Sequence, residues 1–152
     1  MARSAVYAEN SDVLDGEIFT ANLDGRTTIE CASNDGKKFA IGEGPHPALH
    51  FNCRSIRIPD VNPDFTVAKL SGERASMNGP VSGQSNFSGW LRKQPKDFQD
   101  EYFSQFPNGK ARAKLFRNGG LSMDKFTDNK SIVYTLDELK ALEPQAFERA
   151  NL

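Results

Sequence analysis

Long apolar runs are missing from this 152-residue chain. Nothing in it approaches the roughly eighteen consecutive apolar residues of a membrane span, which argues against an integral membrane protein. The opening stretch MARSAVYAEN lacks the apolar centre of a secretory leader, so the chain reads as a soluble protein made in the cytoplasm. There is no fixed-period repeat and no low-complexity tract, which removes solenoids and arrays. Cysteine is scarce, with two in the whole chain, and so is histidine, also two. Two cysteines cannot make a disulfide framework, and in a cytoplasmic protein they serve more often as thiols or metal ligands. An excess of one charge is also absent: 19 basic against 20 acidic residues leave a net charge of -1. That balance excludes a surface that coats nucleic acid or membrane as a whole and leaves room only for a local patch. With 38% apolar residues and a mean hydropathy of -0.58, the core is expected to be modest. The length suits one compact unit with a subsidiary lobe.

What the chain does contain is concentrated in residues 24–54, DGRTTIECASNDGKKFAIGEGPHPALHFNCR, which holds both cysteines and both histidines. Cys31, His50 and Cys53 are good zinc ligands, and the His-x-x-Cys spacing of the last two lets both side chains turn towards one point from a tight loop. A fourth ligand would come from His46, Asp24 or Asp35. A Cys31–Cys53 disulfide and free thiols beside a hydrogen-bonded histidine are the alternatives. His50 and Cys53 also have the residue types of a base and a nucleophile, but no third residue to orient the histidine and no oxyanion hole can be picked out. No catalytic set is therefore assigned. One of Arg54 and Arg57 is expected to pair with an aspartate of this region.

Local signals order the rest. An extended segment is expected from Val13 to Leu23 with a turn at Asp15-Gly16. Asp24 to Thr28 offers oxygens that cap a short helix running to Ser33, closed by Asn34-Asp35-Gly36. KKFAI and the Ile56/Ile58 alternation predict two strands, the second stopping at Pro59. Residues 60–88 carry Pro63, Gly72, Gly79, Pro80 and Gly83, and read as a long arm with one strand at 65–70. Phe65, Val67, Leu70 and Val81 in that arm need cover, from a partner or from the chain's own core. Residues 89–152 read as a helical lobe: Phe98, Tyr102, Phe103 and Phe106 form an apolar stripe, Thr135 and Glu138 a capping box, and Pro144 starts a last helix. Lys110, Lys114 and Arg117 share one helical face, either a solvated ridge or a nucleic-acid contact made through phosphates.

At these residues a family resemblance emerges. DGRTT, Cys31, DGKKF and GEGPHPALHFNCRS resemble the motif of the phage Mu F-like head morphogenesis proteins, also grouped with the SPP1-type minor head (minor capsid) proteins. ERASMNGPV, FSGWLRKQPKDFQDE, KARAKLFRNGGLSMDKFTD and YTLDELKAL resemble the region that follows it, so the similarity runs from about Leu14 onward. The chain departs from the pattern at Phe51, where the family has proline, and at Ser55, where it has a second cysteine. It also has only about a dozen residues before the motif, where members carry a long helical region. The resemblance implies a structural protein of a tailed-phage virion, present in multiple copies in the head near the portal, and implies no established enzymatic activity. It also implies contact with portal, head or connector proteins, action in assembly, packaging or ejection of DNA, and no membrane partner. A metal-dependent nuclease built on Asp24, His50 and Cys53 is the competing class.

The expected fold is α+β: a small antiparallel sheet with a short helix in a Cys/His core over 1–59, an extended arm over 60–88, and a helical C-terminal lobe over 89–152. Candidate metal ligands are Cys31, His50, Cys53 and His46, with zinc as the ion. Candidate nucleic-acid contacts are Lys110, Lys114 and Arg117.

Overall fold

Strand β1 (Leu14–Thr20) turns Glu17 and Phe19 inwards, and everything in the N-terminal half is arranged about those two side chains. In the computed structural model, which describes residues 2–62, 64 and 72–152, β1 is the middle strand of a three-stranded antiparallel sheet. The order is β2-β1-β3, with β2 at Lys38–Phe39 and β3 at Ile56–Val61. The chain is α+β, as expected. β1 runs straight through Asp15-Gly16, where the sequence suggests a turn. The register instead shifts between Leu14 and Gly16, so the turn dipeptide is spent on a bulge. β3 likewise continues past Pro59, which lies opposite Glu17. It can do so because β3 is an edge strand, where the N–H that proline lacks is not needed by a further neighbour. Before the sheet, Ala2–Glu9 forms helix α1.

Helix α2 (Ile29–Asn34) starts where the threonines predict: the Thr28 hydroxyl accepts from the Cys31 N–H. It ends at Asp35-Gly36, with Gly36 at φ 82°, a conformation glycine adopts without cost. α2 buries Ile29, Cys31 and Ala32 and bridges the two halves of the molecule.

The described part of the arm over 60–88 is fastened to the chain's own body. It forms a two-stranded hairpin, β4 (Glu73–Arg74) and β5 (Val81–Ser82), and Val81 packs on the main core. A bridge from Leu23 to Ser76 and the Arg74–Asp35 ion pair at 2.7 Å fasten it to the chain's own body. The strand expected at 65–70, with Phe65, Val67 and Leu70, lies outside the described residues.

From Asn86 onward the structure is helical: α3 (Phe87–Arg92), α4 (Lys96–Ser104), α5 (Gly109–Arg117), a 3-10 turn at Met123–Phe126, α6 (Leu136–Leu142) and α7 (Pro144–Arg149). The capping box of Thr135 and Glu138 is present. Tyr102 and Phe103 from the α4 stripe meet Phe87, Phe116 and Phe126, with ring centroids 5.2–5.8 Å apart. Fully burying each such side chain contributes about 1.5–3 kcal/mol, so this aromatic cluster is the molecule's main store of stability.

Candidate metal centre

Thr28 fixes the start of α2 and thereby the direction of Cys31, one turn in. The β2–β3 connection then carries His50 and Cys53 back across the same helix. His50 Nε2 lies 3.1 Å and Cys53 Sγ 3.6 Å from Cys31 Sγ, and the three donor atoms fall within 4.8 Å of one another. The turn between them is tight: the Cys53 N–H reaches the His50 carbonyl at 3.3 Å, and Asn52 takes φ 61°, a left-handed conformation asparagine tolerates better than most residues. The sequence grouping of Cys31, His50 and Cys53 is thus a grouping in space.

The histidine is oriented for ligation. Its Nδ1 is 2.8 Å from the Phe51 carbonyl, which can only accept, so Nδ1 carries the proton and Nε2 turns its lone pair to the sulfurs. Anchoring the second ring nitrogen on a carbonyl is the usual support of a ligating imidazole. Both cysteines are free thiols, with Cys31 buried at 2% exposure. Burial pushes the Cys31 thiol up to about 11, and neighbouring Cys53 acts in the same direction. Burial also acts upward on Cys53, but hydrogen bonds at Leu49, Ser55 and Cys31 outweigh it and hold this thiol below its ordinary value. The pair therefore accommodates one negative charge readily and resists a second. A divalent cation would relieve that resistance. Metal–sulfur and metal–nitrogen bonds of about 2.3 and 2.0 Å at tetrahedral angles place two sulfurs about 3.8 Å apart and sulfur and nitrogen about 3.5 Å apart. The observed sulfur–sulfur 3.6 Å is close to that spacing, sulfur to nitrogen at 3.1 Å is shorter by about 0.4 Å, and the third pair lies within 4.8 Å, so small side-chain shifts would let the donor set hold a small soft-to-borderline ion.

The other candidates lie elsewhere. His46 faces away from the sulfurs, with Nδ1 3.0 Å from the Gly44 carbonyl and Nε2 3.4 Å from Ser4 Oγ. Asp24 receives both Arg54 Nη atoms at 2.6 and 2.9 Å, realising the expected arginine–aspartate pair. Those hydrogen bonds, opposed by burial, hold its carboxyl below the usual range. Asp35 accepts from the Ala21 and Phe87 N–H groups, each at 2.8 Å, and from Arg74. It is a structural hub on another side of α2. On α5, Lys110 and Lys114 are exposed, but Arg117 is drawn off to Asp100 at 2.9 Å and Gln99 at 3.1 Å. Among the described residues the basic ridge therefore keeps Lys110 and Lys114 without an ion-pair partner.

Three residues central to the site's surroundings carry no sequence signal as strong as a cysteine. Ser55, 7% exposed, lines the small space beside Cys31 and His50, and its hydroxyl acts to lower the pKa of both thiols. Glu17 and Arg57, at 0% and 3% side-chain exposure and 3.1 Å apart, lock the loop beneath the site. Arg57 donates to the Pro45 and Glu43 carbonyls, and Glu17 accepts from Ser4 and the Gly42 N–H. The inward place of Glu17 on β1 is legible only once the register of the sheet is known. No protein-family model matches this chain, and no curated protein or solved structure matches it either. Among the described residues no helix is long and apolar enough to cross a membrane.

Proposed function

We propose that this chain is a non-enzymatic structural protein of a tailed-phage head, located near the portal and acting in head assembly or DNA handling, with a zinc ion as a folding pin at Cys31, His50 and Cys53. The observation that supports it is the convergence of the residues carrying the family resemblance on one small module. Asp24 of DGRTT grips Arg54 of the NCRS block, Thr28 caps the helix that presents Cys31, and Phe39 of DGKKF packs beside Phe19, Ala21 and Cys31. A motif whose members brace one another and end in a soft donor cluster is what a metal-pinned scaffold requires. When bound, zinc would supply cross-linking of α2 to the loop over 50–53 and no redox chemistry.

The same geometry weighs against the nuclease reading. Asp24, the carboxylate that reading uses, is bound by Arg54 in a two-pronged pair and by the Arg26 N–H at 2.9 Å, which leaves it poorly placed as a base. Purified virions should contain the protein in multiple copies, counted against the major shell subunit. The pure chain should leave DNA intact in zinc, magnesium or manganese. Its absence from particles, or metal-dependent cleavage lost on Asp24→Asn, would overturn the proposal.

A further inference from the structure

The composition of the chain restricts who can complete the coordination sphere. Within these 152 residues, which hold two cysteines and two histidines, a fourth donor of the usual kind would be His46 or a carboxylate. Met1, Pro63 and residues 65–71, which lie outside the described set, include no Cys, His, Asp or Glu. His46 is held by Gly44 and Ser4, and among the described residues no carboxylate oxygen joins the three donors. What adjoins Cys31 and His50 instead is a small cavity of about 10 Å³, bounded by Arg26, Asn52, Arg54 and Ser55 among others. That is room for about one water molecule.

We propose that the metal centre has three protein ligands and an open fourth position that belongs to an exogenous monodentate ligand: solvent in the free protein, and a small anion where one is available. The inference rests on the metal reading above and adds the chemistry of its open side. Ser55 is the residue that keeps the position open. Its side chain belongs to the wall of that cavity beside Cys31 and His50, and a neutral alcohol is a poor substitute for thiolate or imidazole as a zinc ligand. Charge favours an anion. Two thiolates and one divalent ion sum to zero, so the centre does not repel it. Arg26 lines the cavity with an exposed side chain that makes no hydrogen bond or ion pair among the described residues. Arg54, on the same wall, is neutralised by Asp24. Binding is then a ligand substitution in which the bound water leaves, the anion takes its place, and no bond to the protein is made or broken.

The test uses the full chain loaded with cobalt(II), whose visible absorption reports ligand identity, and azide as the anion. Cobalt should bind in a one-to-one ratio, and azide should move the visible bands along a saturable curve. Arg26→Ala should weaken azide binding roughly fivefold, as expected for removing one nearby partly screened charge, while leaving cobalt affinity unchanged. Ser55→Cys should supply a third thiolate, raise sulfur-to-cobalt charge-transfer absorption by about half, and abolish the azide response. Cobalt bands present in the unsubstituted chain but unmoved by azide would overturn the open position while sparing the metal reading. A chain that takes up no cobalt would overturn both.

Discussion

Between Phe87 and Phe147 the chain buries Phe87, Trp90, Tyr102, Phe103, Phe116 and Phe126 against one another with aliphatic filling from Leu91, Leu115 and Leu139. The N-terminal module has no comparable mass: its own cluster is Phe19, Ala21 and Cys31, with Phe39, Leu49 and Cys53 at the margin. In place of apolar area it uses directed polar contacts: Glu17 with Arg57, Asp35 with Arg74, Asp24 with Arg54, and the Cys/His cluster. One half is held by non-directional burial, which tolerates small shifts, and the other by pins that work only at defined geometry. A metal site belongs in the second kind of structure, because ligation adds cross-linking where the apolar core is too small to hold a long loop by itself.

The comparison can be broken most forcefully in the helical lobe. Phe103→Ala, at a wholly buried ring touching Tyr102, Phe116 and Phe126, should cost about 3–5 kcal/mol in denaturant unfolding. Zinc should not rescue it. Next comes the module's central pin: Arg57→Met strands Glu17 in the interior and should cost about 3 kcal/mol or more. For Glu17, burial pushes the carboxyl up, but the Gly42 N–H, the Ser4 hydroxyl and the Arg57 charge together outweigh it and lower the pKa. A carboxyl lowered on folding contributes stability above its unfolded value, which disappears as pH falls through the folded one. The unfolding midpoints of wild type and Glu17→Gln should therefore differ at pH 7 and converge below about pH 4.

Smaller effects sharpen the contrast. Zinc at about a hundred times its dissociation constant should stabilise the wild type by about 2.7 kcal/mol, and His50→Ala should remove the gain. Asp24→Asn, at a pair whose side chains are 34% and 23% exposed, should cost about 0.5–1 kcal/mol. Lys114→Ala, on an exposed α5 position, should change stability by less than about 0.5 kcal/mol.

The two regions were also unequally legible in the sequence. The helical lobe announces itself through the aromatic stripe, the Thr135 box and Pro144, all local signals. Cys31, His50 and Cys53 could be grouped from spacing because the α2 cap and the tight turn at Asn52 are local as well. The pins were hidden for the opposite reason. Whether Glu17 or Asp15 points inwards depends on the bulge at Leu14–Gly16, and Asp35 reads as a turn residue until Arg74 arrives from 39 positions away. The arm's glycines and prolines signal irregularity without saying what the hairpin packs against. Pro59 misled because its tolerance depends on β3 being an edge.

The central claim is that a metal at Cys31, His50 and Cys53 pins the N-terminal module while the helical lobe stands on its own core. Amide hydrogen exchange of the zinc-loaded chain, with and without a strong chelator, tests it most directly, since exchange reports local opening segment by segment. Chelation should speed exchange over α2 and over residues 50–58 and leave α4, α5 and α7 unchanged. Identical profiles in the two conditions, or loss of protection spread evenly along the chain, would contradict it.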